Sequence, residues 1–270
     1  MERAKNTKRI LIILFLISFN LYSQNNNTSE FFLSIENGNI NKVRGMIRAG
    51  IDVNITDNAN WSALHRAVQA NKIEIVKELL SHRRININPV LPKDTILENN
   101  GKKWYADGET PLLLASFYGY SDIVLLLLNY GANILAKDNI DGAMAIHIAV
   151  ARGNTRTVSA ILESYSAKNV KNIVNITDNT GTTPLMWASM NNQISIMNLL
   201  LKFGANIDAQ DDDGWTALHF AVASDSYKAV ELLINNKANA DIKNLDENKP
   251  IDIASDTDIQ ALLNKYAKSE

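Results

Sequence analysis

The residues that could carry acid–base or metal chemistry are few in this sequence, and their spacing argues against a shared site. The chain has four histidines and no cysteine, so it contains no thiolate nucleophile, no thiolate metal ligand and no disulfide. His65, His147 and His219 occupy equivalent positions in a repeated pattern, which places them a repeat or more apart. Metal–nitrogen bonds are only ~2 Å long, so the three imidazoles are not expected to share one ion. His82 is expected near a helix end, where its charge is at most favourable.

The densest acidic run, Asp211 to Asp213, is expected to form a solvated turn. A calcium site needs six or more oxygen ligands around one point, and no loop here has the D-x-D-x-D-G spacing that supplies them. The sequence also lacks a phosphate-binding loop, a nucleophile elbow and an aromatic, basic RNA-binding face. We therefore expect no metal, no cofactor and no catalysis.

Composition narrows the range of partners. The net charge is −2 and apolar residues make up 46% of the chain, so no basic field would attract nucleic acid or an anionic membrane. We expect neither as a partner and expect a monomer. The repeat period predicts a single solenoid, with no second core, for the 270 residues.

One stretch, Asp211 to Asp241, shows the pattern that organises most of the chain. Acidic residues and Gly214 suit a tight turn, Thr216 can cap a first helix, and an apolar run from Tyr227 predicts a second. Turn, helix, turn and helix together fill about 33 residues.

The unit recurs, and Leu218 marks a position that we call the anchor. The other anchors are Phe31, Leu64, Leu112, Ile146, Leu185 and Ile251. Three residues later the side chain is small, at Ser34, Ala67, Ala115, Ala149, Ala188, Ala221 and Ala254. Seven residues after the anchor stand types that readily turn left-handed, at Gly38, Asn71, Gly119, Gly153, Asn192 and Asp225. Helix-capping types stand two before it, at Ser62, Thr110, Thr183 and Thr216, and Pro111 and Pro184 follow two of them.

These motifs resemble the ankyrin-repeat family. They include T-P-L-L-L-A from Thr110, T-P-L-M-W-A from Thr183, T-A-L-H-F-A from Thr216 and G-A-N-I-D from Gly204. The resemblance implies an all-α solenoid of about six to seven helix-turn-helix units with β-turn tips. It also implies that His65, His147 and His219 are structural and bridge neighbouring turns by hydrogen bonds. It says little about function, because such repeats serve unrelated partners.

The N-terminal residues have the layout of a secretory signal peptide. Basic residues precede a run from Ile10 to Phe19 that is apolar except for Ser18, and this run is too short to span a bilayer comfortably. We predict a signal peptide over residues 1–23, cleaved after Ser23, and a polar linker over 24–28. Leu21 is larger than the residue usually preferred three before a cut, so an uncleaved membrane anchor is the alternative. With the signal peptide cleaved, we expect the protein to be periplasmic or secreted.

The repeat domain is predicted over residues 29–266, interrupted by an insertion. The units lie near 29–56, 57–88, 107–137, 138–174, 178–210, 211–243 and 244–266, and the insertion is 89–106. Asn100-Gly101 within the insertion predicts a protruding β-hairpin. The alternative is a surface loop without a function, because long insertions cost little stability.

The resemblance also places a binding surface on the concave side, at the turn tips and the exposed part of each first helix. Tip residues six, five and three before the anchor, and helix residues five and six after it, are expected to be exposed. We predict a protein-binding surface made of Trp61, Glu109, Phe117, Tyr118, Arg152, Met190, Asp213 and Trp215, extended by Trp104 and Tyr105 of the hairpin. The alternative is that each aromatic packs on its neighbouring turn. Trp187 and Phe220, two after the anchor, are assigned to core packing.

Three functions follow as hypotheses. The first is a non-catalytic scaffold, exported to a bacterial envelope, that binds a protein partner through its concave face. The second is an immunity or chaperone-type protein that inhibits or protects one exported enzyme or toxin. The third is an enzyme built on the insertions, which requires a titratable pair near the hairpin.

Overall fold

The computed structural model describes residues 26–99, 102–166 and 173–267. The predicted signal peptide, its cleavage site and the Asn100-Gly101 turn lie outside these ranges. Helix α1 includes residues 26–36, so residues 26–28 are helical and do not form the linker that we predicted. No glycine or proline occurs between 26 and 36, so nothing in the sequence delays the helix until the first apolar residues.

The described residues form helical pairs and one pair of strands. After α1 come α2 (Ile40–Arg48), α3 (Ala63–Gln69), α4 (Ile73–Leu80), β1 (Thr95–Asn99), β2 (Lys102–Ala106), α5 (Pro111–Tyr118), α6 (Ser121–Asn129), α7 (Ala145–Ala151) and α8 (Thr155–Ser166). The rest are α9 (Pro184–Met190), α10 (Ile194–Lys202), α11 (Ala217–Ala223), α12 (Tyr227–Asn235) and α13 (Thr257–Ala267). Single 3₁₀ turns occur at Ile173–Asn175 and Pro250–Ile253. In these ranges no helix combines the length and apolar character needed to cross a bilayer.

The predicted helix starts and stops are confirmed. The hydroxyls of Ser62, Thr110, Thr183 and Thr216 each accept a hydrogen bond from the backbone N–H three residues later. These bonds satisfy donors that the first turn of a helix leaves unpaired. The seventh residue after six of the seven anchors has a positive φ, at Gly38, Asn71, Gly119, Gly153, Asn192 and Asp225. The same backbone conformation therefore follows these six first helices.

The described residues divide into two compact units, one that ends at Pro89 and one that begins at Val90. The division falls at Pro89, where the insertion interrupts the regular spacing. The described part of the first unit packs α1 to α4 around buried apolar residues that include Phe31, Leu64 and Leu79.

The second unit is a two-layered helical stack. In one layer α5 packs on α7, α7 on α9, and α9 on α11; in the other α6 packs on α8, α8 on α10, and α10 on α12. The tips between repeats are also in contact, because Asn179 N–H donates to the Asp141 carbonyl at 2.9 Å. A Cβ on Gly142 would lie 2.1 Å from Asn179 Oδ1, so glycine permits this close approach.

The insertion forms an antiparallel strand pair, with Ile96 opposite Tyr105 and Leu97 opposite Trp104. We predicted a protruding hairpin, but one face of it is packed. Leu97 is buried and the Trp104 ring meets the Phe117 ring at a centroid distance of 5.7 Å. Ile96 and Tyr105, on the other face, are exposed. Leu91 N–H also donates to the Glu109 carbonyl at 2.9 Å, which ties the insertion to the tip of the following repeat.

Candidate functional site

At two sets of equivalent positions in the repeats, the observed exposure is the opposite of the exposure that we predicted. Residues three before the anchor are mostly buried: Trp61 is 5% exposed and Glu109 6%. Residues two after the anchor, which we assigned to the core, are half-exposed at Ile148, Trp187 and Phe220. A step of two residues turns ~200° around a helix, so these side chains point away from the face that the anchor buries.

The tip residue and the helix residue form a contact pair, which explains the burial of the tip. The Arg66 guanidinium lies 4.4 Å from the Trp61 ring centroid and forms an ion pair with Asp57. In a later repeat the Trp215 and Phe220 rings lie 5.2 Å apart. Trp61 therefore packs against a side chain of its own repeat, and so does Trp215, which is half-buried.

The second unit contains a cleft of about 170 Å³ beside α7, which we name the α7 cleft. It lies between the hairpin, α5, α7 and α9. Its lining is Leu97, Trp104, Tyr105, Glu109, Phe117, Asp138, Ile140, Asp141, Ala143, His147, Ile148, Ala151, Arg152 and Trp187. Five of the predicted site residues are brought together here: Trp104, Tyr105, Glu109, Phe117 and Arg152.

The remaining predicted residues lie elsewhere. Met190 and Asp213 are exposed and, like Trp215, do not line the cleft. Tyr118 packs in an aromatic row, with its ring 5.1 Å from Phe117 and 5.4 Å from Tyr120. Trp61 belongs to the first unit.

Arg152 is held between two aromatic rings. Its Cζ lies 4.5 Å from the Trp104 centroid and 4.6 Å from the Phe117 centroid, within the range of cation–π attraction. Its Nε is buried without a hydrogen-bond partner, and Arg152 is absent from every ion pair found among the described residues. Desolvation lowers the pKa of this guanidinium, but arginine remains charged at neutral pH.

Carboxylates gather near the tip of the fourth repeat. Burial raises the pKa of Glu109 to about 7, and the charges of Asp138 and Asp107 add to the rise, which a backbone hydrogen bond opposes. Burial and the charges of Asp138 and Asp178 also raise the pKa of Asp141. Asp138 has a structural role, because its Oδ1 accepts the backbone N–H groups of Ile140, Asp141 and Ala143.

Sequence reasoning missed Trp187 and its partner Asp178. The Trp187 Nε1–H donates to Asp178 Oδ2 at 2.9 Å, which fixes the indole in the cleft wall. Desolvation acts to raise the pKa of Asp178, but hydrogen bonds from Trp187, Thr180 and Thr182 outweigh it and lower the pKa. The ~100° turn per residue along the T-P-L-M-W-A helix could have shown that this indole lies opposite the anchor.

His147 and His219 make the bridging bonds that the resemblance implied. Nδ1 of His147 accepts the Met144 N–H at 3.2 Å and its Nε2 lies 3.1 Å from the Ile176 carbonyl. His219 makes the same pair of bonds, to Thr216 and Asn248. Since Nδ1 accepts, the proton belongs on Nε2, which donates to the next repeat. His147 also lines the cleft, but both of its ring nitrogens are already used in these hydrogen bonds.

The third hypothesis required a titratable pair near the hairpin, and Glu109 and Asp138 do lie there. Oδ1 of Asp138 already accepts three backbone N–H groups, so it holds the loop. Among the described residues, no group of three or more His, Asp or Glu side chains could hold a metal ion. The cleft presents aromatic rings, one cation and several carboxylates.

Comparison with known proteins agrees with this fold. The family model for ankyrin repeats (3 copies) matches residues 1–92, 31–138, 91–172 and 146–246. The chain therefore belongs to the ankyrin-repeat family. Domains of this family are generally non-catalytic modules for protein–protein interaction.

Relatives and solved structures extend the comparison. The chain is 29% identical to palmitoyltransferase AKR1 of Lachancea kluyveri, over 84% of this chain and 29% of that protein. It is 32% identical to putative ankyrin repeat protein FPV031 of fowlpox virus, over 70% of this chain and 51% of that protein. It thus spans about half of one relative and less than a third of the other. The ankyrin repeat domain of Bcl-3 (TM-score 0.69; 87% of this chain and 97% of that chain) and that of human ASB11 (0.68; 87% and 96%) share its fold at 24% identity.

Proposed function

We propose that this protein is a non-catalytic scaffold that binds a protein partner in the α7 cleft. The observation that carries the proposal is the convergence of Trp104, Phe117, Arg152 and Trp187 on one concavity from the hairpin, α5, α7 and α9. Tryptophan and arginine are the residues most often found at binding hot spots. The cleft volume of about 170 Å³ is below the ~300–1,000 Å³ of small-molecule sites. It suits one or two side chains of a protein partner.

The partner would be met outside the cytoplasm. Support for export comes from the basic residues and the apolar run Ile10 to Phe19, the pattern of a signal peptide. We propose a bacterial envelope as the location, with cleavage after Ser23. N-terminal sequencing of the C-terminally tagged full chain, recovered from the envelope fraction, tests this. A chain that begins at Gln24 supports cleavage, whereas one that retains Met1 in the membrane fraction indicates the uncleaved anchor.

A pull-down from an envelope extract of the source organism tests the binding function. The bait is the tagged full chain beside the variant Trp104→Ala/Arg152→Gln, with Tyr227→Ala as a matched control on the exposed part of α12. We expect a protein that the wild type and the control retain and the cleft variant loses. One stoichiometric partner with enzyme or toxin activity that changes on binding would support the immunity or chaperone-type function. Retention of no protein by any folded bait contradicts the proposal.

A further inference from the structure

The two charged ends of the α7 cleft are separated by the length of a helix. Asp141 lies in the tip that precedes α7, and Arg152 directly follows the helix. Helix α7 has 7 residues and rises ~1.5 Å per residue, so its length sets a spacing of about 10 Å between the tip and the residue that follows the helix. The apolar side chain of Ile148, which α7 places between these two positions, also lines the cleft. The cleft therefore has an acidic end, an apolar middle and a cationic end.

Neither charged end is neutralised by the described residues. Arg152 forms no ion pair or side-chain hydrogen bond within the described part of the chain, although its Nε is buried. Asp141 likewise takes part in none of the ion pairs found there, and no cation is among the influences on its pKa, which burial and two acidic neighbours raise. A guanidinium fixed by stacking presents its remaining N–H donors at low entropic cost, an arrangement suited to a carboxylate.

We infer that the α7 cleft binds an extended segment of a protein partner that brings an acidic side chain to Arg152 and a basic side chain to Asp141. An extended chain of the polyproline II type advances ~3.1 Å per residue and completes a turn every three residues, so two side chains three residues apart share one face and stand about 9 Å apart. An apolar residue between them fills the middle of the cleft. This inference rests on the proposed function, because it names the chemistry of the segment that the same cleft would take.

A capped peptide tests the inference without knowledge of the partner. The probe is acetyl-Ser-Lys-Leu-Leu-Glu-Ser-amide, whose only charges are the Lys and the Glu three residues later. Control peptides replace Glu by Gln, replace Lys by Gln, or place Lys and Glu side by side. The readout is the set of ¹⁵N indole resonances of the full chain, assigned with single Trp→Phe variants. Trp104 and Trp187 report on the cleft, while Trp61 and Trp215 serve as internal references.

The expected result is a saturable shift of the Trp104 and Trp187 resonances only, with a Kd in the roughly millimolar range of short peptides. Each control peptide should bind about twofold to fivefold more weakly. Arg152→Gln should remove the preference for Glu over Gln, and Asp141→Asn, at an exposed side chain, should remove the preference for Lys over Gln. Circular dichroism confirms that both variants are folded.

Three results would overturn the inference. The first is that the Trp104 and Trp187 resonances do not shift. The second is that the peptide that lacks Glu binds as tightly as the probe. The third is that the Arg152→Gln variant still prefers Glu over Gln. The proposed function fails separately, because its pull-down requires only a captured protein. If the wild type and the cleft variant retain the same partner equally, the cleft is not the binding site of that partner. If the peptide binds but no partner is captured, the charge preference of the cleft still holds.

Discussion

Buried imidazoles link one repeat to the next by hydrogen bonds, and their titration makes the stability of the protein depend on pH. Burial lowers the pKa of both His147 and His219 below the ordinary 6.5, since each is held neutral by accepting at Nδ1. The unfolded chain therefore binds more protons than the folded one below pH 6.5. The stability that these residues contribute is complete above that pH, is lost as the pH falls toward their lowered pKa, and then levels off. Urea unfolding of the wild type between pH 5 and 7.5 measures it.

Replacement of His219 isolates one of these bridges. His219→Ala removes the bonds to Thr216 and to the Asn248 carbonyl and leaves a small cavity. We expect a loss of about 2–4 kcal/mol at pH 7.5, with a weaker fall in stability below pH 6.5 than the wild type shows. His82→Ala is the control, because His82 is only half-buried and near the end of α4. An unchanged stability of the His219 variant would mean that the bridge is dispensable.

Glu109 has the opposite pH dependence. Its folded pKa of about 7 exceeds the ordinary 4.5, so the folded chain binds the proton more tightly. The contribution of Glu109 to the free energy of unfolding is complete below pH 4.5 and is lost as the pH rises through 7. Glu109→Gln should therefore stabilise the protein relative to wild type by about 1–3 kcal/mol at pH 8 and by much less at pH 5. Differential scanning calorimetry at the two pH values measures the difference, and a difference that does not change with pH contradicts it.

At the scale of the elements, the hairpin is held in the fold by the packing of one of its two faces. Leu97 is 2% exposed and its neighbour Ile96 54%, because adjacent strand residues point to opposite faces. Leu97→Ala should cost about 2–4 kcal/mol, whereas Ile96→Ala should change stability by less than about 0.5 kcal/mol. Equal effects in urea unfolding would show that the hairpin does not pack as described.

The helix pairs depend on small residues three after each anchor. Ala188 is fully buried on α9, which packs against α10. Ala188→Leu should destabilise the protein by about 1–3 kcal/mol or more, because the added side chain overpacks this contact. Ala223→Leu, at an exposed position of α11, is the matched control and should have little effect. Thermal melting distinguishes them, and an unchanged melt of the Ala188 variant would contradict the assigned register.

The sequence predicted these elements well because local physical demands act at one period. The hydroxyl caps, the prolines after Thr110 and Thr183 and the left-handed residues after each first helix each follow from backbone geometry. The site was harder to predict. The exposure of Trp61 and Trp187 depends on which face of the helix is covered by other elements. The stacking of Arg152 on Trp104 joins residues 48 positions apart, which no local pattern specifies.

At the scale of the whole molecule, the division at Pro89 predicts that damage in one unit stays local. In repeat proteins each repeat interacts mainly with its neighbours, so stability varies along the chain. Leu79 is fully buried in the first unit, and Leu79→Ala should remove about 2–4 kcal/mol from the protection of α1–α4. Protection of α9–α12 should change by less than about 0.5 kcal/mol. Hydrogen exchange with mass spectrometry measures both.

The reciprocal variant makes that prediction specific. Leu218 is buried on α11 of the second unit, and Leu218→Ala should lower the protection of α9–α12 while α1–α4 keep theirs. If either variant lowers protection equally along the chain, the two units unfold together. The insertion then interrupts the repeat spacing without separating the stabilities of the two units. If each loss stays within its unit, the α7 cleft belongs to a part of the molecule whose order does not depend on the N-terminal repeats. Ligand binding in the cleft would then protect α5–α9 and leave α1–α4 unchanged.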